Sequence, residues 1–536
     1  MASFLLQPTS AMRPIHVASL LLAATLAAGL TSCAPSTSVK RYVTGDEPAD
    51  AAPALTAAQV AADVAVYRRA VDEIAPFPYT YASRAHVDSV AADVVARGAR
   101  DPLAFFEGMR RIAAAYDASH FFVDAPREAY LDSVRASGAG VLPLVCDLVG
   151  EPASEARLVV QRPFRVYAPD HPLHALAGDT LARVNGLDAD SLFRAFFRYV
   201  GGTEATKRYD LRAEFDTWLF VNGVRGPFTL ELRDASGRDY RHDTRGFAYE
   251  PAALDSLAAA QAAATTAGGT DGADRSSGPG LRESLRYRVL DDSTAYLRVA
   301  RWWGFSESEL TAYLDSAFAD MRARGTTRLL IDSRGNGGGN DRLAYPLLDY
   351  LAAGPYDFYA DQARKVSPAY NRYFRKHGSM PWPVRQIPYG PAVRLLMHRH
   401  PAEPDTYVGT KPGKAPKRHK PKPDGPRFGG KAYLFVDGGT YSSGVSVADA
   451  FQHFGMGTVV GTPTGSAPNE HGENTRVRLP NSGVAVTIPS AYYIRANGDA
   501  DDARPVMPEV MVPVSELDAA GAEELWGLVV AHGGAR

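Results

Sequence analysis
Between residues 55 and 116 apolar positions recur at alternating spacings of four and three. Val60, Val64, Tyr67, Val71 and Ile74 form one stripe, with Thr56 and Gln59 spaced as a capping box before it and Pro76 after it. Val87, Val90 and Val94 repeat the pattern up to Gly98, and Asp101-Pro102 opens a run through Leu103, Phe106, Met109 and Ile112. Three amphipathic helices are predicted, ending in Tyr116-Asp117-Ala118-Ser119-His120. From about 140 to 250 the period shifts towards two, with short strands expected at 158–160 and 164–166. Beyond 284 the pattern becomes that of alternating strands and helices. Strands are expected at 296–299, 327–332, 432–436 and 458–460. Helices are expected from Ser306 to Gly325, with Glu309 completing a capping box, and at 444–454. The last strand–helix–strand makes a βαβ unit. Trp302-Trp303 is expected to pack in the core.

Less patterned stretches divide these regions. Residues 34–54 are Ala/Pro/Ser/Thr-rich and read as a tether, and 252–281 as a flexible insertion. Residues 401–430 are Pro-rich and basic, with Lys411, Lys414, Lys417, Arg418, Lys420 and Lys422, the composition of a solvated loop. At the N-terminus, Met12-Arg13 precedes an apolar run from Ile15 to Leu30 and then Leu30-Thr31-Ser32-Cys33. A short positive region, a brief apolar core and small residues describe a secretory signal. The final four residues resemble the bacterial lipoprotein box, which implies that Cys33 becomes the lipidated mature N-terminus. The expected location is then the extracytoplasmic side of a bacterial cell envelope, held to a membrane by acyl chains. Met12 is an alternative start.

Composition narrows the function. The chain has 536 residues, 45% hydrophobic, with 58 basic and 60 acidic side chains. A near-neutral balance lacks the basic footprint of a general nucleic-acid binder, so no nucleic-acid partner is expected. The mature chain, without Arg13, is slightly acidic, so lipid rather than charge would hold it to a membrane. The only cysteines are Cys33 and Cys146, which excludes a disulfide framework.

Two segments carry candidate chemistry. Asp332-Ser333-Arg334-Gly335-Asn336-Gly337-Gly338-Gly339 follows an apolar strand, where glycines turn the chain and aim N–H groups into a cavity. No G-K-[ST] or G-x-G-x-x-G spacing is present, which excludes a P-loop and a dinucleotide fingerprint. Gly438-Gly439-Thr440-Tyr441-Ser442-Ser443-Gly444 lies between a strand and a helix. Ser442 is there either a helix N-cap or an exposed nucleophile near the positive helix end.

Together with Gly461-Thr462-Pro463-Thr464-Gly465, these motifs resemble the tail-specific, or C-terminal-processing, serine peptidases, whose relatives include the tricorn protease core. The similarity covers roughly residues 284–515. It implies an α+β multidomain chain with an N-terminal helical domain (55–140), a PDZ-like β-rich domain (141–250), a linker (251–283) and a C-terminal α/β, ββα-type, crotonase-like peptidase core (284–536). The PDZ-like reading rests on Gly178-Asp179, Asn185-Gly186 and a helix from Ala189. Such a module would capture a peptide or protein substrate through its C-terminus. The resemblance implies no cofactor and no metal.

The family uses two catalytic designs. One pairs the serine with a downstream lysine; that position is Ala467 here, and no lysine follows Lys431. The other, similar to tricorn, takes a histidine from the helical region and a late carboxylate. Ser442 would be the nucleophile, His120 the general base, and Asp502, through Ser119, the group orienting the imidazole. Backbone N–H groups of Gly337 or Gly338 and of Ser443 would form the oxyanion hole. Asp502-Ala503-Arg504-Pro505-Val506-Met507-Pro508 departs from the family's E-G-x-G-V-x-P in two places, Asp for Glu and Pro505 for Gly. His471 is a competing base, and Asp332 and Arg334 are expected to brace the turn. Val445, where relatives often carry Glu, keeps a non-catalytic binding lipoprotein on the same scaffold open as the alternative. The missing G-x-S-x-G elbow argues against an α/β-hydrolase esterase.

Overall fold
The computed structural model describes residues 38–45, 54–99, 101–150, 155–164, 166–249, 279–377, 383, 386, 389–403, 405–410, 418–421 and 427–533. The lipoprotein signal with Cys33, most of the tether, most of the linker and part of the basic loop lie outside the described residues.

The three apolar stripes fold as helices α1 (Ala57–Ile74), α2 (Arg84–Arg97) and α3 (Pro102–Ala114). Their ends have the expected physical causes. Thr56 and Gln59 close a capping box on α1, and Gly98 ends α2 at φ 69°. The Asp101 carboxylate accepts the Leu103 and Ala104 N–H groups, both at 2.9 Å, on α3. The chain then forms the two-residue strand β1 (Phe122–Val123).

Among the described residues the strands make three six-stranded sheets. The first is antiparallel, in the order β2 (Leu144–Val149), β3 (Arg157–Pro163), β4 (Thr180–Val184), β6 (Phe228–Arg233) and β7 (Asp239–Thr244), with β5 (Leu187–Asp188) on β4. Helix α4 (Glu204–Val221), which the apolar pattern did not suggest, packs against β2. Of the strand expected at 164–166, Phe164 and Val166 are not in a strand and residue 165 lies outside the described residues: β3 stops at Pro163, and the Phe164 N–H donates to Pro143 O at 2.9 Å.

The second sheet is β8 (Leu285–Val289), β9 (Thr294–Val299), β10 (Arg328–Asp332), β14 (Lys431–Val436), β15 (Thr458–Gly461) and β18 (Val510–Met511). All pairs but β8–β9 are parallel. Helix α5 (Glu307–Arg324) joins β9 to β10, and α6 (Ser443–His453) joins β14 to β15. Both loops that carry the glycine and serine motifs therefore leave the carboxyl ends of adjacent parallel strands, where open α/β sheets bind ligands.

The third sheet runs β1, β17 (Ala485–Arg495), β11 (Tyr359–Lys365), β13 (Thr406–Val408), β12 (His398–Arg399), with β16 (Glu470–Arg478) beside β17. Phe122 pairs with Thr487 and Val123 with Val486. A segment following the N-terminal helices is thus a strand of a sheet built from the C-terminal half. One buried cluster joins α1–α3, the first sheet, α4 and the β16–β17 hairpin. A second lies between one face of the second sheet and α5 and α6. The other face is covered by helices 514–519 and 525–531. Trp302 is buried as expected, but Trp303 is 55% exposed, with the Arg301 guanidinium 4.0 Å from its ring centre.

Asp63 fastens α1 to the hairpin. Fully buried, it accepts the Asn481 N–H at 3.0 Å, the Asn481 amide at 2.7 Å and the Ser482 N–H at 2.8 Å. Asp63→Ala leaves those donors unpaired, an expected loss of about 1–3 kcal/mol per stranded group. It should appear as a lower urea midpoint with an unaltered slope; an unchanged midpoint contradicts it.

Candidate active site
The loop after β10 is fixed by charge. Arg334 donates to both Asp332 carboxylate oxygens at 2.8 Å, and Tyr296 donates its hydroxyl to the same group at 3.0 Å. Arg298 donates to the Asp332 and Arg334 carbonyls at 2.7 and 2.6 Å. Burial alone would raise the Asp332 carboxyl, but the Arg334 hydrogen bonds and the two guanidinium charges outweigh it and hold it below its ordinary value. Asp332 and Arg334 do brace the turn.

The glycine loop and the serine loop are stitched together. Asp437 at the end of β14 accepts the N–H of Gly335 at 2.7 Å and of Gly439 at 3.0 Å. The Tyr441 N–H donates to Asn336 O at 2.9 Å, and the Ser443 hydroxyl to Gly339 O at 2.8 Å. Gly338 has φ 97°, and a Cβ there would lie 2.8 Å from Ser442 Cβ. No side chain fits between the two loops at that point.

Ser442 sits immediately before α6 at φ 55° and ψ −128°, a strained conformation for a residue with a side chain. Its hydroxyl makes no capping bond to the helix. It lies instead 3.1 Å from His120 Nε2. His120, between α3 and β1, is also left-handed, at φ 67°. Its N–H donates to the Tyr441 hydroxyl at 3.1 Å, and its ring stacks on that tyrosine with centres 5.0 Å apart. The phenol following the glycines therefore orients the imidazole that meets the next serine. On the serine loop, Gly439 makes room for Tyr209 of α4: a Cβ would fall 2.3 Å from its ring.

Asp502 does not meet Ser119 as the sequence resemblance implied. Asp502 pairs with Arg495 and Arg504, the latter at 2.8 and 3.0 Å, and has no bond to Ser119 or His120. Arg504 hydrogen bonding is the main cause that lowers its carboxyl to about 2. The carboxylate beside Ser119 is that of Glu470, the first residue of β16: Ser119 Oγ lies 3.3 Å from both its Oε2 and the His471 carbonyl, and Ser466 Oγ donates to the same Oε2 at 2.6 Å. The sequence signal was an acid opening a strand beside a histidine, in Asn469-Glu470-His471. His471 does not reach Ser442; its Nε2 lies 2.9 Å from Pro76 O.

Of the proposed oxyanion donors, the Gly338 N–H is already taken by Asn336 Oδ1 at 2.9 Å. The Gly337 and Ser443 N–H groups donate to no backbone carbonyl among the described residues. Ala467, the position that the resemblance matches to the lysine of the other design, is buried.

Burial sets the proton chemistry. His120 is 5% exposed, and desolvation, with the nearby His471, lowers its imidazole to about 3. It is neutral at pH 7 and able to accept a proton. Desolvation pushes the Glu470 carboxyl up to about 8, against hydrogen bonds from Ser466 and Ser119 that lower it. His120 Nδ1 is buried without a hydrogen-bond partner among the described residues. No group of three or more His, Cys, Asp or Glu among the described residues could hold a metal ion.

Residues 293–512 match the family model described as peptidase family S41. No curated protein matches the chain. Among solved structures, CPAF complexed with lactacystin is 14% identical, covers 89% of this chain and 98% of its own, and has a TM-score of 0.59. Mature CPAF is 13% identical with the same coverage and a TM-score of 0.53. The photosystem II D1 C-terminal processing protease is 14% identical, covers 89% of this chain and 98% of its own, and has a TM-score of 0.41. At these identities the likeness to CPAF is one of fold.

Because burial disfavours imidazolium, His120 keeps its basic form as pH falls through the usual histidine range. The acid limb of Ser442 labelling by a fluorophosphonate should therefore lie well below pH 6; a midpoint between 6 and 7 contradicts this. Glu470→Gln should cost more rate at pH 9 than at pH 6, since the native carboxyl ionises as pH rises through about 8. Asp502→Asn should leave the shape of the profile unchanged.

Proposed function
Taking the chain as a serine-type peptidase of family S41, the family its residues 293–512 match, we propose that it cleaves peptide bonds through an acyl-enzyme on Ser442 with His120 as general base. The observation that carries this reading is the 3.1 Å contact between His120 Nε2 and Ser442 Oγ. A neutral imidazole at that distance takes the hydroxyl proton as Ser442 attacks and returns it to the leaving amine. The Gly337 and Ser443 N–H groups stabilise the oxyanion, each donor contributing about 3 kcal/mol in the transition state. Glu470, acting through Ser119, holds the His120 segment and gains ionisation as the imidazolium forms, each charge favouring the other. The same contact supports hydrolysis over ligand carriage, which needs no nucleophile–base pair.

The unit over 141–250, an antiparallel sheet with a helix at Ala189–Ala195, is read as a PDZ-like module that receives the C-terminus of a peptide or protein substrate. Cys33 is read as lipidated, holding the enzyme to a membrane of a bacterial envelope on its extracytoplasmic side. Support for the anchor is the Leu30-Thr31-Ser32-Cys33 sequence.

Ser442→Ala should abolish fluorophosphonate labelling and peptide cleavage together; labelling that persists sinks the assignment. His120→Ala should lower kcat by about 10⁴-fold or more with the fold intact by circular dichroism. Full activity in that variant would move the base elsewhere. Cys33→Ser should shift the protein from the membrane to the soluble fraction and stop incorporation of labelled palmitate; an unaltered distribution refutes the lipid anchor.

A further inference from the structure
Away from the catalytic loops, a cavity of about 330 Å³ opens at the β8 edge of the second sheet. Its lining includes Arg282, Arg286, Arg288 and Arg298, with Glu283 as the one acidic residue among the described residues that line it. The register explains how the arginines gather. On β8, Leu285 and Tyr287 pack into the core, so Arg286 and Arg288 project from the opposite face. Arg286 pairs directly across from Arg298, and Arg288 across from Tyr296. Like charges directly opposite on neighbouring strands destabilise a sheet. A chain that keeps such a pair breaks a local rule, and such breaks concentrate at functional sites.

The counter-charges are largely spent elsewhere. Glu283 pairs with Arg301. Arg288 pairs with Glu523, whose side chain is 56% exposed and therefore held in high dielectric. Arg298 reaches Asp332 at 3.6 Å and gives its two terminal nitrogens to backbone carbonyls of the glycine loop. Carbonyls satisfy donors without cancelling charge, so among the described residues Arg286 and Arg298 leave the cavity wall with an excess of positive charge.

We infer that this cavity is a binding site for a small phosphate-bearing anion. Guanidinium forks from both strands, Arg286 and Arg288 on β8 and Arg298 on β9, line it, an arrangement suited to the several oxygens of a phosphate rather than to one planar carboxylate. The volume is that of a small-molecule site. The phosphate could belong to a soluble compound or to a lipid headgroup; the chemistry recognised is the same.

Isothermal titration of the full chain at constant ionic strength tests the site, with inorganic pyrophosphate in one arm and dihexanoyl phosphatidylglycerol below its micelle-forming concentration in the other. Binding of one equivalent is expected, weakened at least tenfold by Arg286→Glu and by Arg286→Ala. Both variants should melt within a degree or two of the wild type, because Arg286 is exposed. Binding in the first arm assigns a soluble phosphate compound, and in the second arm alone a headgroup. No binding in either arm, or binding that both Arg286 variants leave unchanged, overturns the proposal. Peptide cleavage by Arg286→Ala should be unchanged without ligand, which separates this result from any failure of the catalytic assignment.

Discussion
The hydrogen bond between His120 and Ser442 joins residues 322 positions apart, each in a left-handed backbone conformation. Neither conformation is favourable for a residue with a Cβ, and each costs of order 1–3 kcal/mol unless its surroundings enforce it. The surroundings do so from opposite sides. Ser442 is held between Gly338 and the first turn of α6, and His120 between the end of α3 and β1, which is paired with β17. The rest of the architecture serves to bring these two constrained points to within 3.1 Å.

That requirement explains why the molecule does not divide into separate halves. The helices over 57–114 share a core cluster with the first sheet and with the β16–β17 hairpin. Asp63 ties α1 to the hairpin turn, and β1 supplies an edge strand to the sheet that contains Glu470. A shift of α3 against the second sheet would therefore move His120 relative to Ser442, and for the base and nucleophile proposed above a displacement of an ångström can cost about a hundredfold in rate.

Electrostatics follow from the same packing. Burial keeps His120 uncharged and Glu470 largely protonated near neutrality, so the resting site carries little charge where water is excluded. Charge is instead concentrated in the supports, with Arg334 on Asp332 and Arg495 on Asp449 and Asp502. Arg298 belongs to both worlds, holding the glycine loop by its carbonyls while lining the arginine cavity.

Local chemistry was legible in the sequence wherever it depends on neighbours along the chain. The capping box at Thr56, the stops at Gly98 and Gly325, and the strands preceding both loops follow from short-range spacing, and all form. The absence of any lysine after Lys431 is likewise read directly from the chain, whereas Ser119-His120 became a candidate partner of Ser442 through the family resemblance and not through local spacing. What the linear pattern could not decide was contact between distant segments. An apolar doublet does not say which tryptophan faces solvent; Trp302 forms a β-bridge with Gly339, and in extended backbone its neighbour Trp303 points to the opposite, open side. Nor does a family segment say which carboxylate reaches Ser119: Asp502 is captured by two arginines, while β16 carries Glu470 to the serine. The fold shows that Ser442 makes no capping bond to its helix and lies 3.1 Å from the His120 ring, which stands just before the β1 strand paired with β17. The sequence determined the residue types and the turns that expose them; tertiary structure decided the partners, because hydrogen bonds and desolvation depend on distances that a sequence separation of hundreds of residues leaves free.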